Sequence, residues 1–444
     1  MKFYLTADLW YLIIGFIIFF AASIIERKKA KTKSPVTRDI FFAIIFVYLV
    51  VIFFIPVFEG DLTVDNEGNS YIAIENKFFV VGNKHKIMKF DDTGRLKWVN
   101  GYPFDASTLY KAKILTEDED SNLYIGFERD SEDGRYVLKK NSDGKPAHSY
   151  LAKVDSNGKI IWDASSVARI NAMQAAGGKL RLLGVSDSGD VAAETFGLED
   201  GESGESLFVS VWLGYLNTVH IDEAGDFLCL DNIITSSLSK FSREGNPLWG
   251  VKLTQDAMIV VSDRENNVLV GGGTQRSAVI EKYNPTDGAV LWSTVFQPVE
   301  SGASNYIMDI AADNSGNAYA VGYVRMSAAT DGQMQKGNSF LAKISPTGEL
   351  LWVKTDVFPK ASNLFRYKQF DVDRSGNIYL TDGGSWFRGT SLTKLDTEGK
   401  EVWKAVTPGL KLMLTIMLLA LAALNLIPVL KEKHQIRVKS RALK

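Results

Sequence analysis

Along most of the chain, short apolar runs alternate with polar, glycine-containing turns, and three longer runs break that pattern by being apolar throughout. Leu9 to Ile25, Ile40 to Phe58 and Leu412 to Leu430 carry almost no polar side chain. As helices rising about 1.5 Å per residue, each is long enough to cross a hydrocarbon core of about 30 Å. A buried helix of a globular domain ordinarily keeps a polar stripe. The runs therefore predict three transmembrane helices, two N-terminal and one C-terminal. Ala21-Ala22-Ser23 would suit signal cleavage, but the basic cluster follows the first run where a signal peptide would place it ahead.

Between these runs the pattern is that of strands joined by tight turns. One signature is an acidic residue, a polar turn and an apolar strand: Asp65 to Tyr71, Asp118 to Tyr124, Asp222 to Leu228, Asp263 to Leu269, Asp313 to Tyr319 and Asp373 to Tyr379. The other is a lysine, a glycine turn and a tryptophan: Lys89, Gly94, Trp98; Lys153, Gly158, Trp162; Lys240, Gly245, Trp249; Lys282, Gly288, Trp292; Lys343, Gly348, Trp352; Lys394, Gly399, Trp403. Asp or Asn accepts hydrogen bonds from amides further along a turn, and Gly supplies positive φ, so each signature marks a hairpin. Two hairpins make a repeat of four antiparallel strands, A to D, with the tryptophan opening strand D and filling space between neighbouring sheets.

A weaker copy fits the gap after Trp162: Gly177 to Gly184, then Leu207 to Trp212. With it, equivalent turn positions fall 41 to 60 residues apart; without it, one interval is 104. Four-stranded repeats of this length predict an all-β, seven-bladed β-propeller, with six or eight blades as alternatives. The expected organisation is a transmembrane hairpin over 1-58 with a basic cytoplasmic loop at 26-38, a propeller over 59-407, a third spanning helix over 408-430 and a basic tail over 431-444.

Charge orients this arrangement. Arg27, Lys28, Lys29, Lys31, Lys33 and Arg38 crowd the first loop, and Lys431, Lys433, Arg437, Lys439, Arg441 and Lys444 the tail. The positive-inside rule places both in the cytoplasm. The N-terminus and the propeller are then extracytoplasmic, in a multi-pass protein of the cell membrane. The formal net charge of −2 comes from 50 bases and 52 acids; without the flanks, 36 bases face 48 acids. Such a domain is a poor fit to nucleic acid.

The two signatures resemble the pyrroloquinoline-quinone-like propeller repeats, marked by an Asp-containing turn with Gly and a following Trp. The first also resembles the bacterial β-propeller repeat with its Asp-x-x-Gly-Asn-x-Tyr core. The resemblance spans roughly residues 60 to 406 and implies fold, not function. Quinoprotein dehydrogenases of this kind usually have eight blades, a catalytic Asp beside calcium and often paired cysteines; this chain has only Cys229. No catalytic residue, cofactor or metal is therefore expected. The four histidines have no zinc spacing, and turn chemistry accounts for the acidic turns. Glu199 to Glu205 reads as a solvated loop.

Trp386, Phe387 and Arg388, in a Gly-rich loop, are the candidate binding residues, because exposed aromatic side chains beside arginine form hot spots. Long connections at Phe127 to Ser149, Val185 to Ser206 and Arg325 to Ser339 leave one face of the disc, where binding normally resides. The sequence thus points to a membrane-anchored, extracytoplasmic binding or assembly scaffold, not an enzyme. Its expected partners are the lipid bilayer and a membrane-embedded or membrane-proximal protein or envelope component. A ligand-sensing subunit signalling through a separate protein is the alternative, and a quinoprotein-type enzyme a third.

Overall fold

The computed structural model describes residues 2–3, 61–75, 85–101, 110–118, 120–129, 149–166, 169–185, 191–209, 218–231, 236–274, 276–298, 304–325, 339–355, 357, 370–381 and 389–408. Every regular element among them is a strand. No helix among the described residues is long and apolar enough to cross a membrane. A span needs about 20 apolar residues in one continuous helix, whereas the elements here are strands of two to nine residues. The expected fold class with three transmembrane helices is thereby corrected to an all-β architecture, and Leu9–Ile25, Ile40–Phe58 and Leu412–Leu430 lie outside the described residues. The membrane anchoring, the lipid or membrane-embedded partner and the multi-pass localisation expected from those helices find no support in any described helix.

The strands form seven consecutive four-stranded antiparallel units, here called blades. From inner strand A to outer strand D they run from Leu62–Val64 to Leu96–Gly101, from Tyr110–Glu117 to Ile160–Ser166 and from Arg169–Ala176 to Ser203–Val209. The fourth runs from Thr218–Ile221 to Pro247–Lys252 and the fifth from Asp256–Ser262 to Val290–Phe296. The sixth runs from Ser304–Ala312 to Leu350–Thr355 and the seventh from Phe370–Val372 to Glu401–Pro408. Each inner strand touches the inner strand of the next blade, and Leu62–Val64 touches Phe370–Val372, so the ring closes. Blades 5 and 6 also share ladder pairs, Gly273 with Tyr306 and Thr274 with Asn305. Lys2–Phe3 pairs in parallel with the outer edge of blade 7, Lys2 opposite Ala405 and Phe3 opposite Val406.

Local chemistry sets the turns. In blade 1, Asp65 Oδ1 accepts from the amides of Glu67 and Asn69 at 3.0 and 2.8 Å, while the Gly68 amide donates to the Asp65 carbonyl at 3.0 Å. The turn closes through a residue at positive φ, Gly68 at 78°. The same position holds Ser121 at 60° in blade 2, a conformation that costs a side-chain-bearing residue energy. The C–D turns repeat the device, with Asp91 Oδ1 accepting from the Thr93 and Arg95 amides at 3.1 and 2.8 Å.

There is no single core. Seven buried apolar clusters form, one at each junction between neighbouring blades. At the seam, Leu62, Ile72 and Met88 of blade 1 pack with Tyr379, Leu392 and Trp403 of blade 7. Tryptophans pin most junctions. Trp403 Nε1 donates to the Asp92 carbonyl at 2.9 Å, and a Cβ on Gly94 would stand 2.6 Å from its ring, so only glycine admits it. Trp98, Trp162, Trp249 and Trp292 donate in the same way to carbonyls of Ser156, Leu198, Pro285 and Pro346.

Blade 3 is the irregular member. Its A–B turn is Gly177-Gly178, both at positive φ, in place of the aspartate turn. The stretch Val185–Ser206, expected to be a long connection, contains strand C, Val191–Gly197, and enters strand D at Ser203. The expected loop Glu199–Glu205 is mostly the C–D turn, where Asp200 Oδ1 accepts from the Glu202 amide at 2.9 Å and Gly201 lies against Trp162.

Candidate binding surfaces

Trp386, Phe387 and Arg388 lie outside the described residues, as do most of the connections at 130–148 and 326–338. The described surfaces that remain are the inner strands, the short-turn face and the outer rim.

A transverse row repeats across six blades. In blade 1, Tyr71, Lys89 and Trp98 stand opposite one another on strands B, C and D. Tyr71 donates its hydroxyl to Asp65 at 2.9 Å, and Lys89 Nζ sits 4.9 Å from the centre of the Tyr71 ring. Tyr124, Tyr319 and Tyr379 bind Asp118, Asp313 and Asp373 alike, under Lys153, Lys343 and Lys394. Burial first, and then the adjacent carboxylates, push the ionisation of these four phenols far up.

Blades 4 and 5 carry Leu228 and Leu269 in place of tyrosine. There the lysine takes over. Lys240 Nζ reaches Asp222 at 2.8 Å and Asp226 at 3.3 Å, and Lys282 Nζ reaches Asp263 at 2.7 Å. A carboxylate without a phenol donor is thus neutralised by a buried cation, as a buried charge requires. These aspartates serve structure in every blade that has them.

Polar side chains on the inner strands tie one blade to the next. Thr63 Oγ1 donates to Glu117 at 2.8 Å, Gln174 Nε2 donates to the Asp222 carbonyl at 2.6 Å, and the Val64 amide donates to Asp371 at 3.1 Å. His220 Nε2 lies 2.9 Å from Ser262 Oγ. In isolation that pair resembles a base and a nucleophile. It occupies the same place in its blades as the Thr63–Glu117 tie does in blades 1 and 2, which makes it one link of a structural girdle. Sequence reading missed the girdle because its partners lie 42 to 307 residues apart. Among the described residues no three His, Cys, Asp or Glu side chains are grouped to hold a metal. Cys229 is buried, and burial pushes its thiol up to about 12.

The outer rim is different. Among the described residues, every exposed large apolar side chain sits on a D strand: Ile161, Leu248, Val290, Leu291 and Val295, then Leu350, Leu351 and Val402. Five of them, Ile161, Leu248, Leu291, Leu351 and Val402, immediately precede a blade tryptophan. The tryptophan points into the junction, so strand alternation turns its predecessor outward.

No protein-family model matches the sequence. None of the curated proteins matches it either. Among solved structures, BamB from Moraxella catarrhalis is similar at 12% identity and a TM-score of 0.38, over 79% of this chain and 88% of that one. A europium-containing methanol dehydrogenase is similar at 9% identity and a TM-score of 0.41, over 78% of each chain. KlHsv2 with loop 6CD replaced by a Gly-Ser linker is similar at 10% identity and a TM-score of 0.47, over 78% of this chain and 96% of that one. The chain has a distant, fold-level resemblance to pyrroloquinoline-quinone-type and other propeller-like proteins.

Proposed function

We propose that this protein is a non-catalytic binding module that holds a polypeptide partner against its outer rim. The observation that carries this reading is that, among the described residues, the exposed large aliphatic side chains all lie on the D strands. An apolar belt on a rigid ring offers contact area with little entropy left to lose on binding. The repeated aspartates are engaged by Asn, Tyr or Lys, and the inner-strand polar groups by the next blade, which supports binding over catalysis.

Site-specific photocrosslinking in cells tests it. A photoreactive residue at Leu351 or Leu248 is expected to yield a reproducible polypeptide adduct, and one at Thr93 or Glu398 on the short-turn face is not. Adducts only from the turn face, or none from either rim position, would overturn the reading.

A further inference from the structure

Six junctions carry a blade tryptophan, and at five of them its indole nitrogen donates to a carbonyl in the C–D turn of the next blade. Trp352, between blades 6 and 7, is the exception. Its Nε1 is buried and has no hydrogen-bond partner among the described residues. A lysine stands in its place. Two residues after Trp352, Lys354 Nζ donates to the Gly399 carbonyl at 2.9 Å. The lysine stem fills the space over that glycine, where a Cβ would stand 2.7 Å from Lys354 Cε. At the flanking junctions the same space belongs to the tryptophan: a Cβ on Gly348 would meet the ring of Trp292 at 2.8 Å, and one on Gly94 the ring of Trp403 at 2.6 Å. The residues two after those tryptophans, Thr294 and Ala405, are small enough to leave the ring there. Lys343 Nζ takes the Thr397 carbonyl at 3.1 Å, the acceptor equivalent to Pro346 for Trp292.

We infer that the junction between blades 6 and 7 is a joint of the ring, opening locally ahead of the 5–6 and 7–1 junctions on either side of it. The three junctions exchange different partners when water enters. At the 7–1 seam, Trp403 holds the Asp92 carbonyl, the Tyr379 hydroxyl holds the Gly68 carbonyl at 3.0 Å, and the Val64 amide holds Asp371. Water there only replaces bonds already made. At 5–6, Trp292 and Thr294 hold the Pro346 and Gly348 carbonyls, and the two blades share ladder pairs as well. At 6–7, opening gives the Trp352 N–H its first partner, so the closed state alone carries the cost of a buried, unsatisfied donor. The side-chain ties from Lys343 and Lys354 are ammonium groups on flexible stems, strongly hydrated once released. The backbone bond at the inner turns, from the Asn314 amide to the Arg374 carbonyl, is long at 3.3 Å. Lys354 Nζ also lies 5.6 Å from the centre of the Trp352 ring, a contact within blade 6 that opening leaves intact. An unsatisfied donor in the closed state shifts the opening equilibrium by roughly ten- to a hundredfold. The joint therefore lies one blade away from the seam where the two ends of the ring meet.

Buried cysteines introduced into the full-length chain on a Cys229→Ala background report the opening of each junction. Val321→Cys lies in the 6–7 cluster, Ala320→Cys in the 5–6 cluster and Ala405→Cys in the 7–1 cluster. In the folded protein, Val321→Cys should react with a thiol reagent at least about tenfold faster than the other two. Lys354→Thr gives blade 6 the residue that blade 5 carries at 294, leaving Trp352 free to reach the Thr397 carbonyl as Trp292 reaches Pro346. It should slow Val321→Cys about tenfold and leave the other two unchanged, and the effect of the cysteine itself cancels from that ratio. If Lys354→Thr does not fold, indole N–H exchange in the tryptophan-labelled parent decides: Trp352 should exchange at least about tenfold faster than Trp292 and Trp403. Val321→Cys reacting no faster than the other reporters, a folded Lys354→Thr that slows all three equally or none, or a Trp352 indole as protected as Trp292 and Trp403 would each overturn the inference.

Discussion

Replacing Lys240 by methionine separates two ways of neutralising the same buried aspartate. Lys240 Nζ is 2.8 Å from Asp222, and both side chains are shielded from water, at 5 and 0% exposure. At an effective dielectric constant of about 20, two charges at that distance attract by about 6 kcal/mol. Most of that gain is offset by the desolvation of both ions. Removing the lysine leaves the carboxylate buried with the Ala224 and Asp226 amides as its recorded donors, at 3.0 and 2.9 Å. The expected cost is about 3–5 kcal/mol. Lys89→Met makes the matching change in blade 1, where Asp65 keeps Asn69 Nδ2 at 2.8 Å and the Tyr71 hydroxyl at 2.9 Å. What is lost there is chiefly the cation over the ring, about 0.5–2 kcal/mol. Leu228→Tyr in the Lys240→Met background places a phenol opposite residue 240, in the register Tyr71 has with Lys89. A hydrogen bond to a charged group contributes about 1.5–3 kcal/mol, so the double variant should recover much of the loss. Urea unfolding followed by tryptophan fluorescence gives the four stabilities of the cycle. A Lys240→Met no costlier than Lys89→Met, or a coupling of zero with Leu228→Tyr, would refute this account.

Ser121→Gly relieves a residue at φ of 60° where the equivalent residue in blade 1 is Gly68, and should raise stability by about 0.5–1 kcal/mol in the same assay. Trp403→Leu removes both the hydrogen bond to Asp92 and the packing on Gly94, and should cost about 3–5 kcal/mol, more than Trp352→Leu. The Trp352 indole nitrogen is buried without a hydrogen-bond partner, Lys343 takes the Thr397 carbonyl, and Lys354 covers Gly399. Cys229 should be inert to a thiol reagent in the folded chain and react fully in concentrated urea, because burial raises its thiol to about 12. The pH profile has two limbs. Burial pushes the Asp91 carboxyl up, but the amides of Arg95 and Thr93 and the Thr93 hydroxyl outweigh it and hold it low. Its contribution is complete above the ordinary carboxylate value of about 3.9 and is lost as pH falls through the lower folded value. The raised phenols of Tyr71, Tyr124, Tyr319 and Tyr379 contribute stability below about pH 10 that falls away above it. Unfolding midpoints measured across pH check both.

What could be read from the residues follows the range of the interactions. Asp65, Gly68 and Tyr71, or Lys89, Gly94 and Trp98, lie close in the chain and make turns with their own neighbours, so spacing alone located those hairpins. Blade 3 was mostly hidden because it dispenses with that chemistry. It turns on Gly177-Gly178, has no lysine–tryptophan row, and builds strand C from Val191-Ala192-Ala193-Glu194-Thr195-Phe196-Gly197, a segment too weakly patterned to stand out from a connection. The inner girdle was invisible because Val64 and Asp371 meet only when the ring closes. The three apolar runs gave a reading by composition alone; they lie outside the described residues, among which no helix is long and apolar enough to cross a membrane. The exposed rim was implicit in the apolar residue before five of the six blade tryptophans, and strand alternation would have shown it.

The seam between blades 7 and 1 contains no shared strand: each of the two blades is complete in itself, and the ring is shut by Trp403, Tyr379 and the apolar side chains beside them. Order along the chain is thus decoupled from order around the ring. The outer strand of blade 7 and the inner strand of blade 1 are separated by about three inter-strand spacings, roughly 15 Å. About five residues bridge that gap at full extension. Joining residue 408 to residue 61 through a somewhat longer linker, and opening the chain between any other two blades, leaves all seven junctions chemically as they are. The protein is in this sense circular in information as well as in shape, and a family of permuted chains should reach the same fold from seven different starting points.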